Sequence, residues 1–246
     1  MSTNQEHLQK ISQFYDSETS EYDNGYSSLT CKAEDAVVAD ILRQFISGRI
    51  LDIGAGSGLL CEMMGGNDYV GIELSPRMTV QEKTKFLNKD FMVADMHSLP
   101  FADSSFDSAV SLYGPLSYSL APEELLKEVM RVVCPGGYIV LMPYTLRVGH
   151  NLEIGGYSTA IEKGIEKIFY TANMLQELLS PLEGVQVFGI NYFLNTYTRF
   201  VRAMNLGDGQ SLELFIEFLQ REHELREILP AEYARHIIGI GHKPTR

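Results

Sequence analysis

The nine residues Ile50-Leu51-Asp52-Ile53-Gly54-Ala55-Gly56-Ser57-Gly58 constrain the fold more than any other stretch of the chain. Arg49 to Ile53 is a short aliphatic run, as a strand buried on both faces requires. From Leu59 the apolar residues take the helical spacing Leu59, Leu60, Met63, Met64, and Gly65-Gly66 stops the pattern. Between strand and helix, Gly54, Gly56 and Gly58 can take positive φ and carry no Cβ, so a ligand can approach the backbone closely. Free N–H groups at the helix start would face it. A dinucleotide turn, Gly-x-Gly-x-x-Gly, would need its third glycine at position 59, where Leu59 stands, so a pyrophosphate cofactor is disfavoured. Taken alone, the turn could also be a tight bend that binds nothing.

Downstream, Asp68 to Glu73 reads as a second strand closing on an acid, 19 positions beyond Gly54. That is near the roughly 20 expected of a carboxylate that accepts hydrogen bonds from ribose hydroxyls. A solvated strand-end glutamate is the alternative. Ser75-Pro76 opens a helix in N-cap and first-turn order. Asp90 to Val93 is a third strand, followed by Ala94-Asp95-Met96 and then by His97-Ser98-Leu99-Pro100-Phe101-Ala102-Asp103-Ser104-Ser105-Phe106-Asp107. Phe106 to Leu112 is a fourth strand with the loop Tyr113 to Tyr118 at its carboxyl end, and Pro122 to Val133 is helical. Cys134-Pro135-Gly136-Gly137-Tyr138-Ile139-Val140-Leu141-Met142 then leads into a fifth strand.

Three ordered stretches, the acidic-x-Gly-x-Gly-x-Gly turn, the Leu-Pro-Phe … Ser-Phe-Asp run and the Pro-Gly-Gly strand, together resemble class I S-adenosylmethionine-dependent methyltransferases. The similarity is to the ubiquinone, sterol and sarcosine-forming small-molecule type and runs from about Ala33 to the end. It implies an α/β fold: a seven-stranded, mostly parallel sheet with helices on both faces and an antiparallel last strand. It also implies S-adenosyl-L-methionine as cofactor and S-adenosyl-L-homocysteine as product. By resemblance the cofactor residues are Tyr22, Asp52, Gly54, Ala55, Gly56, Gly58, Glu73, Leu74, Asp95, Met96 and Leu112. In that family the acid at the Asp95 position meets the adenine amino group and its neighbour, here Met96, packs on the ring; a turn-capping Asp95 is the alternative. His97 is read as a loop residue only.

Residues 1–32 form a tyrosine-rich arm, with Phe14-Tyr15-Asp16-Ser17 followed by Glu21 to Tyr26. Similar arms fold over the pocket, which makes Tyr15, Tyr22 and Tyr26 lid candidates; aromatic anchors for a terminal helix are the plain alternative. Ala33 to Ile46 reads as an amphipathic helix with Glu34, Asp35, Asp40 and Arg43 on its polar side. Residues 143 to 170 read as a loop carrying Tyr144 and His150. Thr171 caps a helix, and Val185 to Phe193 is a sixth strand. Residues 194–233 form a helical cap inserted before a last strand at Arg235 to Pro244, with Glu222 to Arg226 as a solvated face. The whole, 1–246, is one domain whose core is 33–193 and 234–246.

In an open parallel sheet the ligand crevice lies at the carboxyl ends of the strands, so Tyr113 should face a bound methyl group. Tyr113 and His150 are the candidates for taking an acceptor's proton, and Tyr15, Tyr26, Tyr113, Tyr144 and His150 for contacting the acceptor; packing and surface roles are the alternatives. The chain has 246 residues and a net charge of −12, which works against binding a phosphate backbone. No apolar run approaches the roughly 20 residues of a membrane span, and no leader pattern opens the sequence, so a cytoplasmic location is expected. Cys31, Cys61 and Cys134 lack metal spacing, and no acidic cluster suggests magnesium, so no metal is expected. The expected activity is methyl transfer to nitrogen, oxygen or carbon of a small molecule by a monomer or homodimer. A non-catalytic cofactor-binding or partner-binding subunit is the alternative, and an NAD-dependent oxidoreductase a weaker one.

Overall fold

The computed structural model describes residues 3–19, 22–66, 68–146 and 158–245. Its nine strands are β1 (Arg49–Ile53), β2 (Asp68–Glu73), β3 (Asp90–Val93), β4 (Phe106–Ser111), β5 (Val133–Leu141), β6 (Ser158–Glu162), β7 (Ile165–Phe169), β8 (Glu183–Ile190) and β9 (His236–His242). Seven of them form one sheet in the order β3-β2-β1-β4-β5-β9-β8. All pairs from β3 to β5 are parallel, and β9 runs antiparallel to both neighbours. Among the described residues the α-helices are α1 (Thr3–Glu18), α2 (Leu29–Leu42), α3 (Leu59–Met64), α4 (Pro76–Lys85), α5 (Pro122–Val132), α6 (Ala172–Leu178), α7 (Leu194–Ala203) and α8 (Asp208–Glu224). Among the described residues no helix is long and apolar enough to cross a membrane.

Alternation along the strands divides the core. Ile50 of β1 and Tyr69 of β2 point to the face covered by Val37, Val38, Ile41 and Leu42 of α2 and by Phe215 and Leu219 of α8. Leu51, Ile53, Val70 and Ile72 point the other way, against Leu125, Leu126 and Val129 of α5 and Leu175 of α6. Both faces are therefore dry, which is why the middles of β1 and β2 are mostly apolar, with Asp52 the exception in β1. The cap helices seal one sheet face: α8 lies along α2 rather than standing away from the core.

Several boundaries, one hairpin and two charged positions differ from the sequence expectation. Helix α2 begins at Leu29 because the Ser28 hydroxyl accepts the Cys31 N–H at 3.2 Å. Strand β8 ends at Ile190 because Asn191 takes φ 65°. Within the expected 143–170 loop lies the hairpin β6–β7, closed by Lys163 and Gly164 at φ 51° and 78°, a two-residue turn whose twist matches its strands. The last strand starts one residue later than expected, at His236, and stops at His242. The first charged position is Glu222, expected to be solvated but only 4% exposed. Its carboxylate accepts the N–H groups of Tyr192 at 2.8 Å and Phe193 at 3.0 Å, where α7 begins. A buried carboxylate satisfies the unpaired donors of a helix start better than water can reach them. Glu34 is likewise buried, not on a wet helix face.

Candidate active site

The glycine turn adopts φ 73°, 60° and 81° at Gly54, Gly56 and Gly58. The three glycines serve different ends. A Cβ at Gly54 would stand 2.4 Å from Pro115 and one at Gly58 2.3 Å from Phe86, so packing demands both. A Cβ at Gly56 would meet nothing nearer than the Tyr22 hydroxyl at 3.6 Å, so that position stays open to a ligand. Glu73 fastens the turn to the end of β2. Its Oε1 accepts the N–H groups of Leu74 at 2.8 Å and Ser75 at 3.0 Å, and its Oε2 that of Gly56 at 3.2 Å. A carboxylate offers about four acceptor positions, so one remains on Oε2 for an incoming hydroxyl. Burial raises the Glu73 pKa and the backbone donors oppose that rise.

Behind the turn, the Tyr69 hydroxyl donates to Asp52 at 2.6 Å. Burial nevertheless pushes the Asp52 carboxyl up to about 7. On the other side, Glu73, Leu74, Asp95, Met96 and Leu112 line a small cavity of about 80 Å³ with Tyr15 and Tyr22 of the arm. The arm is fixed there. Tyr15 and Tyr118 share a hydroxyl–hydroxyl bond of 2.7 Å, Ser12 donates to the Leu74 carbonyl at 3.1 Å, and Asp16 accepts from the Ser75 hydroxyl at 2.5 Å and the Arg77 N–H at 3.0 Å.

His97 turns out to hold Asp95 in place, a role its loop position did not suggest. Its backbone N–H and Nδ1 both lie 2.9 Å from Asp95 Oδ1, while Nε2 lies 2.8 Å from the Ser119 hydroxyl. These bonds lower the Asp95 pKa, so the carboxylate is charged and oriented. The Asp–His–Ser order mimics a hydrolytic triad, but Ser119 is fully buried and its oxygen accepts the Ala121 N–H at 3.2 Å. It cannot act as a nucleophile. The Asp-x-His spacing was the available sequence signal.

A larger cavity of about 460 Å³ opens on the far side of the turn and shares Tyr22, Gly54, Gly56, Leu112 and Tyr113 with the first. It is also lined by Asp52, Ala55, Ser57, Tyr26 and Tyr144. Tyr113 takes the strained φ of 57° and its hydroxyl donates to Asp35 at 2.8 Å. Burial, with Glu34 and Asp35 close by, raises its pKa well above the usual range, so the phenol stays neutral. Glu34, Asp35 and His236 complete this wall, and none was singled out from the sequence. His150 lies outside the described residues. Tyr144 sits between this cavity and a third, of about 510 Å³, where the Lys167 ammonium lies 5.1 Å from the Tyr118 ring centre and 5.2 Å from that of Tyr144. Gly58 lines neither cavity of the turn; it sets the start of α3.

Residues 51–141 match the family model described as a methyltransferase domain. The demethylmenaquinone methyltransferase of Paenarthrobacter aurescens is 32% identical over 111 residues, covering 44% of each chain. The chain thus spans less than half the length of that relative. The demethylmenaquinone methyltransferase of Clavibacter sepedonicus is 27% identical over 208 residues, covering 77% of this chain and 80% of its own. Among solved structures, the [4+2]-cyclase SpnF superposes with a TM-score of 0.67 at 19% identity, covering 97% of both chains. A possible histamine N-methyltransferase from Thermotoga maritima gives 0.65 at 16% identity, covering 95% of this chain and 99% of its own. From the glycine turn to the fifth strand, the chain matches a methyltransferase domain, and its fold is shared with S-adenosylmethionine-dependent methyltransferases of known structure.

Proposed function

We propose that the protein transfers the methyl group of S-adenosylmethionine to a small-molecule acceptor. The observation that carries this is the pair of adjoining cavities that share the glycine turn, one lined by Asp95 and Glu73 and the other by Asp52, with Tyr113 common to both. Of the three glycines of the turn, Gly56 is the one at which an added Cβ would not strike the fold, and it lines both cavities. In this reading Asp95 accepts from the adenine amino group, Met96 packs on the ring, and Glu73 takes one ribose hydroxyl through Oε2. Asp52 faces the cationic amino acid end. The bound cofactor supplies an electrophilic methyl on a sulfonium whose leaving group is a neutral thioether. The chain itself aligns acceptor and methyl at near-attack distance and excludes water with Tyr15, Tyr22 and Tyr26, an orientational contribution. Tyr113, neutral and donating to Asp35, orients an acceptor through its remaining lone pair rather than taking its proton. The net charge of −12 and the relatives named for demethylmenaquinone support a small metabolite over a nucleic acid.

A second reading, a cofactor-binding protein that does not methylate, is favoured by the superposition on a chain named as a [4+2]-cyclase. Calorimetric titration with S-adenosylmethionine and S-adenosylhomocysteine, with NAD as control, tests both. Micromolar binding of the first two and none of NAD is expected. Methylated product from any member of a phenol, amine and carboxylate panel then separates the first reading from the second. Failure of both sulfur compounds to bind refutes each.

A further inference from the structure

The wall of the larger cavity opposite the glycine turn is built from three distant parts of the chain. Glu34 and Asp35 come from α2, Tyr113 from the end of β4, and Arg235 and His236 from the start of β9. Because β9 runs antiparallel, its first residue lies at the edge where β4 and β5 end. His236 Nε2 lies 3.3 Å from Glu34 Oε1, with the two side chains 18% and 6% exposed. The imidazole meets the Tyr113 ring edge to face, centres 5.5 Å apart. Glu34 is itself held from behind by the Asn191 amide, and Asn191 sits at φ 65° just past β8. A buried carboxylate this well held, in contact with an imidazole that lines a cavity, is an arrangement for moving a proton.

We propose that His236, braced by Glu34, receives the proton of the acceptor's reacting hydroxyl, and that the cavity takes an acceptor of phenol or enol acidity. This rests on the methyl-transfer reading. In the step, the acceptor O–H bond breaks and its proton passes to an imidazole nitrogen. The oxygen electron pair forms the new O–CH₃ bond while the C–S pair leaves with sulfur as a neutral thioether. Glu34 is the positioning residue, since it stabilises the imidazolium that forms. A hydroxyl is chosen over an ammonium because a resting cation would stand beside the sulfonium, whereas a forming oxyanion is attracted by it. The groups facing His236 are Glu34 and Asp35 from α2, Tyr113 from β4, and Arg235 beside it on the chain.

The test is binding to the protein saturated with S-adenosylhomocysteine, read by calorimetry and by long-range proton–nitrogen spectra of the imidazole rings, with His236 assigned from His236→Gln. The probes are 2-naphthol, its methyl ether 2-methoxynaphthalene, and 2-naphthylmethylammonium. The expected result is at least tenfold tighter binding of 2-naphthol than of either other probe, with a shift of the His236 ring nitrogens on naphthol alone. Glu34→Gln and His236→Gln should each reduce that preference below threefold while S-adenosylhomocysteine affinity stays within threefold of the parent. Equal binding of naphthol and its ether, no naphthol binding, preference for the ammonium, or an unmoved His236 ring would overturn the inference alone. Failure to bind S-adenosylhomocysteine would overturn the cofactor reading and this inference with it.

Discussion

Glu82 offers the sharpest quantitative test of the electrostatics beneath the glycine turn. It lies on α4 with its side chain fully buried and neither carboxyl oxygen hydrogen-bonded among the described residues. Burial, reinforced by Glu73 and Asp52, pushes its pKa from the usual 4.5 up to about 9. An acid whose folded pKa is raised stabilises the fold fully below its unfolded value and loses that stability as pH rises towards the folded value. At pH 7 the gap to the unfolded value is about 2.5 units, and at about 1.36 kcal/mol per unit the group costs ~3 kcal/mol. At pH 5 the same arithmetic leaves under about 1 kcal/mol. Glu82→Gln keeps the shape and removes the ionisation. Urea unfolding of parent and variant, followed by circular dichroism without cofactor, should therefore show the variant gaining about 2 to 3 kcal/mol relative to the parent between pH 5 and pH 7. Glu82 stays uncharged between pH 5 and pH 7 and is not among the causes of the Asp52 shift, so the titration of Asp52 cancels in the difference. A gap independent of pH would refute the claim that Glu82 is buried uncharged.

Gly56→Leu should lower S-adenosylmethionine affinity at least 100-fold by calorimetry while costing only the roughly 1–2 kcal/mol of a side chain at positive φ; unchanged affinity would place the ligand elsewhere. Because Asp52 has a pKa of about 7 in the free protein and its charged form suits a cationic ligand, affinity should rise from pH 6 to pH 8. The rise should be at most about tenfold per unit, with proton release seen as a buffer-dependent binding enthalpy; a flat profile would show that Asp52 does not sense the ligand. Glu222→Ala should lower unfolding stability by about 2–4 kcal/mol through two lost charge-assisted bonds and unpaired N–H groups. A loss no larger than that of the exposed neighbour Glu224→Ala would contradict the capping role.

What could be read from the sequence is what neighbouring residues decide among themselves. Ser75 and Thr171 cap their helices because the donors they satisfy, on Met78 and Met174, are three residues away. The glycine turn and the acid at the end of β2 are legible for the same reason. Glu34 and Glu222 were misplaced because amphipathic periodicity distinguishes apolar from polar positions but not wet from buried polar ones. Their partners are remote: Asn191 is 157 residues from Glu34, and Tyr192 is 30 from Glu222. His236 shows a subtler limit. The start of its strand was expected within one residue, yet the rule that function gathers at carboxyl ends applies to parallel strands. For a strand that runs the other way the functional edge receives its first residue, so His236 enters the cavity by the direction of β9. Strand direction follows from pairing with β5 and β8, which lie 95 or more and 46 or more positions upstream of it in the chain. A search for site residues in this fold should therefore weigh the beginning of the antiparallel strand as heavily as the ends of the parallel ones.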